Sequence, residues 1–273
     1  MTDEIKLVSI VVSTYNWPEA LAVVLDSLSQ QRDKRFEVIV ADDGSTVETA
    51  EMVRGIAATF PVPLIHVWQE DEGFRAAAAR NRAVAAAKGS YLVFLDGDCA
   101  VFPDFIGTHI RFAETGCFVA GNRILLSQSF TRLAFANEIK FYNWSTVEFI
   151  KARLCNLVNR ILPLFKLPDG YFRKLRPRQW QGAKTCNLAV WRNDFCRING
   201  FDEAFIGWGH EDAELVSRLI NSGVSRKDGR FATGVLHLWH KEQARDDAAK
   251  NLQRLMSHMQ GKLVRAEDGF DKY

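Results

Sequence analysis

The sequence predicts an α/β fold in which helices cover both faces of a mainly parallel sheet. Short β-branched segments alternate with segments of helical periodicity through the first half of the chain. The β-branched segments are continuously apolar, which is typical of strands buried on both faces of a parallel sheet. Polar residues follow at their carboxyl ends, where open α/β sheets bind their ligands.

The predicted strands and helices alternate in chain order. Strands are expected at residues 7–13, 36–40, 62–68 and 91–95. The first helix begins near Pro18, a residue that the first helical turn accepts. Its apolar face carries Leu21, Val24, Leu25 and Leu28. Further helices are expected at 47–58 and, alanine-rich and ending before Gly89, at 75–87.

The stretch 125–178 differs from the rest of the chain. It holds ten basic and three acidic residues, a net charge of +7, together with nine aromatic residues. Basic and apolar residues interleave at helical spacing over 151–166, which predicts a basic amphipathic helix. Such a helix packs on the sheet with a solvated basic face, or contacts a membrane surface or a partner. Helices are also expected at 212–219 and 242–264.

The composition excludes several classes of protein. With 273 residues, 47% of them apolar and 25% charged, the chain is neither disordered, collagen-like nor a disulfide scaffold. A net charge of +2 excludes a protein that coats nucleic acid. No apolar run approaches the ~18 residues of a membrane span, and no signal peptide is recognisable. Five cysteines without a CxxC pair predict buried, reduced thiols in a cytoplasmic protein.

Asp96-Gly97-Asp98, after the predicted strand 91–95, is the most informative triplet. Carboxylates two positions apart on an extended segment point to the same side, and Gly97 lets a ligand approach the backbone. Two such carboxylates can hold a divalent cation, which neutralises a diphosphate. Asp and Gly are also ordinary turn residues, so the triplet alone does not decide between a metal site and a turn.

Two other strand ends carry similar residues. Asp42-Asp43-Gly44-Ser45 ends the second strand, and Ser13-Thr14-Tyr15-Asn16 ends the first. A carboxylate can accept the imide N–H of uracil or bond a ribose hydroxyl, and a tyrosine ring can stack on a base. The structural alternative for Asp42 and Ser45 is the N-cap of the next helix, which leaves Asp43 for the ligand.

Four segments together resemble family 2 glycosyltransferases of the GT-A fold, a Rossmann-like mixed sheet. They are VSIVVSTYN, VIVADDGST, ARNRAVAAAKGSYLVFLDGD and GFDEAFIGWGHEDAEL, in that order. The last resembles the catalytic end of β-1,4-galactosyltransferase and chondroitin-polymerase-type enzymes. No motif in 125–178 matches. The resemblance implies one GT-A domain over 1–273, with a nucleotide-binding half at 1–124, a basic helical insertion at 125–178, and an acceptor and catalytic half at 179–273.

On the donor side the resemblance assigns roles by position. It implies that Thr14, Tyr15 and Asp43 contact uracil and that Arg80 faces the nucleotide. Asp96 would lie near the ribose. Arg75 and Asn81 are weaker nucleotide candidates.

The resemblance also implies a metal site. Asp98 matches the direct metal ligand, and His240 is favoured as its partner, with His237 as a second ligand or a support. Imidazole ligates Mn²⁺ or Zn²⁺, whereas Mg²⁺ prefers oxygen. Mn²⁺ is therefore the favoured ion and Mg²⁺ the alternative. Three positions apart, the two histidines share a face on a helical turn but lie on opposite faces of a strand. If they stand on a strand end, only one of them would ligate.

On the acceptor side Asp212 matches the general base, and Glu211 a residue that binds an acceptor or donor hydroxyl. A carboxylate that takes the hydroxyl proton contributes about 10²–10⁴-fold to such a reaction. The alternative is a solvated first helical turn, where acidic residues are favoured. His210 stands where the galactosyltransferases have Gly.

Aromatic and small residues complete the predicted sugar site. Trp208, beside the proposed base, and then Trp180 are candidates for stacking on a sugar, with core packing as the alternative. Gly182 and Asn187 resemble the family's small-residue strand behind the sugar.

The resemblance implies an inverting, metal-dependent hexosyltransferase that uses a UDP-sugar and a hydroxyl of a surface glycan such as lipopolysaccharide or capsule. The alternatives are a GDP- or TDP-sugar donor, a non-catalytic nucleotide-sugar-binding subunit, and a nucleotidyltransferase. P-loop, GxGxxG and GxSxG motifs are absent from the sequence. We expect a cytoplasmic location, with peripheral contact at the inner face of the plasma membrane through 151–178 if the acceptor is lipid-linked.

Overall fold

A computed structural model describes residues 4–241 and 247–273. Within these residues ten strands form two sheets. The strands are β1 Val8–Thr14, β2 Phe36–Asp42, β3 Leu64–Trp68, β4 Tyr91–Asp96, β5 Cys99–Val101, β6 Cys117–Ala120, β7 Arg123–Leu125, β8 Asn187–Trp191, β9 Ser225–Asp228 and β10 Val235–His237. The helices are α1 Pro18–Ser29, α2 Val47–Ala57, α3 Ala76–Ala86, α4 Phe105–Phe112, α5 Gln128–Ala136, α6 Thr146–Leu154, α7 Arg192–Arg197, α8 Glu211–Asn221 and α9 Ala248–Gln260.

The larger sheet has the strand order β3-β2-β1-β4-β8-β6-β9. Its first four strands are parallel, as the sequence predicts, so their carboxyl ends meet at one edge. β8 runs antiparallel to both β4 and β6, and β9 runs parallel to β6. β6 and β9 therefore point in the same direction as β4. The mixed, mainly parallel sheet confirms the predicted fold class.

Both faces of this sheet are buried because successive residues of each strand point to opposite sides. In β1, Ile10 and Val12 pack in one core with Leu21 and Leu25 of α1. Val11 packs in the other core, against the alanines of α3. The alanine-rich sequence of α3 thus gives a helix that lies close to the strands.

A second, three-stranded sheet has the order β5-β10-β7. Strands β5 and β7 lie on either side of β10, antiparallel and parallel to it respectively. Most aromatic residues in the first part of the insertion are buried in a third core between this sheet and α1, including Phe130, Phe141 and Phe149. The 125–178 segment is therefore anchored to the fold through its apolar residues.

The predicted helix over 151–166 is wrong. α6 ends at Leu154, and Asn156 takes a left-handed conformation with φ of 54°, which stops the helix. After it, only a short 3₁₀ turn forms at Leu162–Leu164. The predicted helix 242–264 begins in residues outside the described part, and the described helix α9 ends at Gln260.

The cysteine prediction is only partly right. Cys99, Cys117 and Cys186 are buried, Cys196 is half-buried and Cys155 is exposed, each as a free thiol. Cys155 follows the last turn of α6 and so faces solvent. None of the helices in the described ranges is long and apolar enough to cross a membrane.

Candidate active site

The candidate site lies at the edge where the parallel strands end. In the sheet register Ser13 pairs with Asp96, and Thr14 pairs with Asp42. The polar residues after three strands are therefore neighbours, as the sequence predicts. Asp42 accepts a hydrogen bond from the backbone N–H of Ser45 and pairs with the ring of His66. The predicted N-cap role of Asp42 and Ser45 is wrong, because the N-cap of α2 is Thr46.

Gly97 and Asp98 form a tight turn between β4 and β5, not the extended segment that the sequence argument assumes. The Gly97 N–H donates to the Ser13 carbonyl at 2.7 Å. A Cβ at this position would lie 2.8 Å from the same oxygen. Gly97 therefore allows the turn to pack against β1, and what approaches its backbone is this strand. The turn directs Asp98 toward β10.

Asp98 meets both predicted histidines. Its Oδ2 lies 3.4 Å from His237 Nε2 and 3.2 Å from His240 Nε2. Both rings reach it because β10 ends at His237, so that His240 lies outside the strand. The condition for a single ligating histidine, that both stand on a strand, is not met, because His240 lies beyond β10. The hydrogen bond to Asp98 raises the pKa of His240 to about 9. Burial opposes ionisation of Asp98, but the two histidines outweigh it and hold its pKa below the ordinary value.

This cluster fits a divalent cation. One carboxylate and two imidazoles converge from the β4–β5 turn and the end of β10, a mixed oxygen and nitrogen set that suits Mn²⁺ better than Mg²⁺. The Asp98, Cys99 and His237 ligand atoms all lie within 4.8 Å of one another. Cys99 donates to Asp98 at 3.3 Å from a buried position.

Arg80, on α3, connects three parts of the site. Its Nε donates to Ser13 Oγ at 2.9 Å, and its two terminal nitrogens lie 3.4 Å from Asp96 and 3.1 Å from Glu211. The residue is 4% exposed. Burial raises the pKa of Asp96 to about 6 against the attraction of Arg80. Arg80 therefore holds together carboxylates from both halves of the chain, whereas the resemblance implies a residue facing the nucleotide.

Asp43 lies in a pocket formed by the β3–α3 connection. One oxygen accepts from Gln69 Nε2 at 2.6 Å and the other from the Arg75 backbone N–H at 2.8 Å. Burial raises the pKa of Asp43 to about 6 despite these hydrogen bonds. Thr14 is buried at the end of β1, and its carbonyl accepts from the Asp43 N–H.

Tyr15 is exposed, and its hydroxyl donates to Asp71 at 2.9 Å. This hydrogen bond raises the pKa of the tyrosine. Asn81 is buried and serves the fold, because its amide bonds the Phe201 backbone and Glu203. The ring of Tyr15, in contrast, is accessible for stacking with a nucleotide base.

Glu211 and Asp212 begin α8, after His210 in a left-handed conformation with φ of 73°. A left-handed conformation favours Gly, which is the residue that the galactosyltransferases have here. Glu211 is held by Arg80, whereas Asp212 accepts only from the N–H of Ala213 among the described hydrogen bonds. Burial and the adjacent Glu211 raise the pKa of Asp212 to about 7. Asp212 is thus a carboxyl group that can exchange a proton near neutral pH.

The two tryptophans differ in their surroundings. Trp208 is half-buried in the segment that leads into α8. Trp180 packs against the small core of Phe205, Ala213 and Leu255, which supports the core-packing alternative for its ring. Gly182 lies in an exposed turn with φ of 77°, so the prediction that it belongs to a strand is wrong. Asn187 is buried at the start of β8 and bonds the Asn122 and Thr233 carbonyls.

Two cations near the site were not predicted. Burial opposes the charge of Arg123, on β7, but the nearby Cys186 and Cys99 raise its pKa, and Asp96 and Asp98 add to this effect. Lys184, in the turn before β8, lowers the pKa of Asp212 against the effect of burial. Neither lies in a recognisable motif. Only the second sheet and the connection before β8 bring them to the site.

Two family models match adjacent parts of the chain. Residues 9–166 match glycosyl transferase family 2, and residues 172–241 match the N-terminal domain of galactosyltransferase. The validoxylamine A glucosyltransferase of Streptomyces hygroscopicus subsp. jinggangensis is 30% identical over 246 residues, 86% of this chain and 56% of that protein. The chondroitin synthase of Escherichia coli is 30% identical over 226 residues, 79% of this chain and 32% of that protein.

The chain spans about half the length, or less, of these curated relatives. Among solved structures, S. aureus TarS 1-349 has a TM-score of 0.61 at 14% identity, covering 97% of this chain and 67% of that one. The mannosyltransferase PcManGT of Pyrobaculum calidifontis, in complex with GDP-Man and Mn²⁺, has a TM-score of 0.62 at 19% identity, covering 98% and 68%. These likenesses support the GT-A fold.

Proposed function

Because the chain belongs to glycosyl transferase family 2, we propose that it transfers a hexose from a UDP-sugar to a hydroxyl of a cell-surface glycan, with inversion at the anomeric carbon. One observation carries the proposal. Arg80 joins the Asp96 strand end to the first turn of α8, so the Asp98 cluster and Asp212 face the same edge of the sheet. A donor and an acceptor can therefore meet there.

Asp212 is proposed as the general base. Its carboxylate would accept the proton of the acceptor hydroxyl as that oxygen attacks the anomeric carbon of the donor. A raised pKa makes the group a stronger base than an ordinary aspartate, while neutral pH still ionises a large fraction of it. Glu211, held by Arg80, would bind a sugar hydroxyl. One displacement with one base inverts the configuration.

Asp98, His237 and His240 are proposed to hold Mn²⁺, which would supply positive charge to the departing diphosphate. Arg123 lies beside them and would add to the same field. Thr14, Tyr15 and Asp43 are proposed for the uracil, with Tyr15 offering an accessible ring. Arg80 and Asp96 complete the donor side, and Trp208 is the proposed sugar-stacking residue.

We further propose one domain with two functional halves. Residues 1–124 would bind the nucleotide, and 179–273 would bind the acceptor and supply the base. Three hydrophobic cores meet along the shared sheet and the second sheet, and α8 packs on the larger one. The division therefore concerns function, because the two halves share one sheet.

The first experiment is UDP release by the purified chain with a panel of UDP-, GDP- and TDP-sugars, in Mn²⁺ and in EDTA. Slow hydrolysis of one UDP-sugar that requires Mn²⁺ is expected, with loss of turnover but not of donor binding in Asp212→Asn. A non-catalytic binding subunit would bind a donor and release nothing, with or without Asp212. Absence of nucleotide binding would refute the assignment of the strand ends.

The insertion is proposed to contact an anionic membrane surface from the cytoplasmic side. Several of its apolar side chains are exposed, including Leu154 at 79% and Tyr171 at 81%, among exposed cations such as Lys151. Apolar rings and chains beside basic residues suit the interface of acidic lipids. Co-sedimentation with vesicles of phosphatidylglycerol and phosphatidylcholine at low salt tests this contact. No more sedimentation than with phosphatidylcholine alone would exclude it.

A further inference from the structure

A basic pocket lies apart from the candidate active site, between the end of the insertion and strand β9. Its volume is about 210 Å³. Four arginines and one aspartate are among the residues that line it, which gives the lining a net charge of +3. The charged residues are Arg173, Arg176, Arg226, Asp228 and Arg230. We call this cavity the arginine pocket.

Arg226 presents an unused pair of donors in this pocket. Its Nη1 donates to the Gln179 and Gln181 carbonyls at 3.0 and 2.8 Å. Within residues 4–241 and 247–273, Nε and Nη2 donate no hydrogen bond, and no carboxylate lies within ion-pair distance. The residue is only 5% exposed. Nε and Nη2 form the planar fork with which arginine binds two oxygens of one phosphate.

The other arginines create a positive potential around this fork. Arg173 is 2% exposed and donates to four backbone carbonyls, so it fixes the wall without a carboxylate partner among the described residues. In the described part of the chain, the side chain of Arg176 has one hydrogen bond, a 3.5 Å contact with Gln179. Arg230 is neutralised by Asp228. Burial lowers the pKa of Arg226, and Arg230 and Arg176 add to this effect against the opposing attraction of Asp228.

The arginine pocket is lined in part by Asp228, the last residue of β9, and by Arg230 just beyond it. β9 points in the direction of β4, and two strands separate them. At ~4.8 Å between neighbouring strands, their carboxyl ends lie about 14 Å apart. Trp180 follows the lining residue Gln179 and packs against the small core that contains Ala213, the neighbour of the proposed base Asp212. One extended ligand can therefore reach both places.

We propose that the arginine pocket binds a phosphoryl or diphosphate group of the acceptor. That the phosphoryl group belongs to the acceptor rests on the proposed function. The binding of a phosphoryl group in the pocket does not depend on it. An acceptor anchored here by its anionic end would extend a sugar hydroxyl along the sheet edge toward Asp212. The exposed rims of Phe172 and Leu175 would accommodate an apolar portion of the same molecule.

The test is titration calorimetry of the full chain with inorganic pyrophosphate, in EDTA so that no metal-bridged binding at Asp98 contributes. Arg226→Lys keeps the charge but removes the fork, and Arg176→Gln removes an exposed charge that the fold does not use. Each is expected to weaken pyrophosphate binding at least about tenfold. Arg178→Gln is the matched control, because Arg178 is exposed in the same basic segment and does not line the pocket.

Two results would overturn the proposal. One is absence of pyrophosphate binding to the wild-type chain, and the other is equal weakening by Arg178→Gln and Arg176→Gln. Melting curves show whether Arg226→Lys still folds, and Arg176→Gln decides the question if it does not. Vesicles of phosphatidylcholine with and without phosphatidylglycerol separate the two sources of phosphate. If the wild-type chain binds the phosphatidylglycerol vesicles but not pyrophosphate, and Arg176→Gln abolishes this vesicle binding, the pocket binds a lipid headgroup. That result would refute the proposal that it binds the acceptor.

Donor hydrolysis by the wild-type chain keeps the two proposals distinguishable. If no nucleotide sugar is bound or hydrolysed but pyrophosphate binds through Arg226 and Arg176, the proposed function fails and the phosphoryl site stands. If a donor is hydrolysed and pyrophosphate does not bind, the arginine pocket proposal fails alone.

Discussion

Replacing Asp212 by Asn is expected to stabilise the fold while it removes turnover. Burial and the neighbouring Glu211 raise the pKa of Asp212 to about 7, from an ordinary value of 3.8. The folded state keeps a proton on this carboxyl up to about pH 7, whereas the unfolded chain loses it near pH 4. The wild-type free energy of unfolding therefore falls as the pH rises between these two values.

The magnitude follows from the two pKa values. Ionising Asp212 in the folded chain costs about 4 kcal/mol at pH 8, which partial solvent contact of this half-buried side chain reduces to about 2 kcal/mol. At pH 5 the folded carboxyl stays protonated while the unfolded one is ionised. The free-energy cost of holding that proton, reduced in the same way, is about 1 kcal/mol. Asn has the same shape and no charge. Asp212→Asn should gain these amounts, and turnover should drop by about 10²–10⁴.

Urea unfolding of wild type and Asp212→Asn at pH 5 and pH 8 measures the gain, and Glu51→Gln serves as an exposed control on α2. Wild-type kcat/KM should also fall as the pH drops below about 7, because the base becomes protonated. A stability gain that is zero, or equal at the two pH values, would refute the electrostatic reasoning.

Three further predictions concern the rest of the site. His240→Ala and Asp98→Asn should each weaken Mn²⁺ binding at least about tenfold, measured by Mn²⁺ electron paramagnetic resonance, whereas Glu51→Gln on the exposed side of α2 should not. Arg80→Lys should lower the melting temperature and turnover together, because a lysine cannot bond Ser13, Asp96 and Glu211 at once; calorimetry and UDP release measure both, and an unchanged melting temperature would contradict the bridging role. Gly97→Ala should destabilise the fold by about 1–3 kcal/mol in urea, because its Cβ would lie 2.8 Å from the Ser13 carbonyl, whereas Gly55→Ala, with open space around it, should not.

The first half of the fold could be predicted because its signals are local. Continuous apolar strands, Pro18 and the alanines of α3 fix those elements within a few residues of their observed ends. The antiparallel insertion of β8 between β4 and β6 could not be predicted, because strand order depends on contacts between distant segments. The helix expected at 151–166 fails for a local reason, since Asn156 takes a left-handed conformation.

In the candidate site, too, residues beside short motifs could be predicted, whereas residues brought together by contacts between distant segments could not. Asp98, Asp212 and His240 stand beside short motifs, and the structure brings Asp98 and His240 together. The buried bridge made by Arg80 could not be predicted from the sequence. The residues around an arginine on a helix do not indicate whether its side chain contacts a ligand or three protein side chains. Arg123 and Lys184 were missed because only tertiary packing brings them near the carboxylates.

The position of the Asp98 cluster in the chain would link the proposed metal binding to folding. Asp98 belongs to the first half of the sequence and its two histidines to the last fifth, so an unfolded chain offers no such set of ligands. An ion that binds only the folded chain shifts the folding equilibrium by mass action. At a hundred times its dissociation constant the shift is about 2.7 kcal/mol. Cellular manganese supply would then determine how much of this protein survives proteolysis as well as how fast it works.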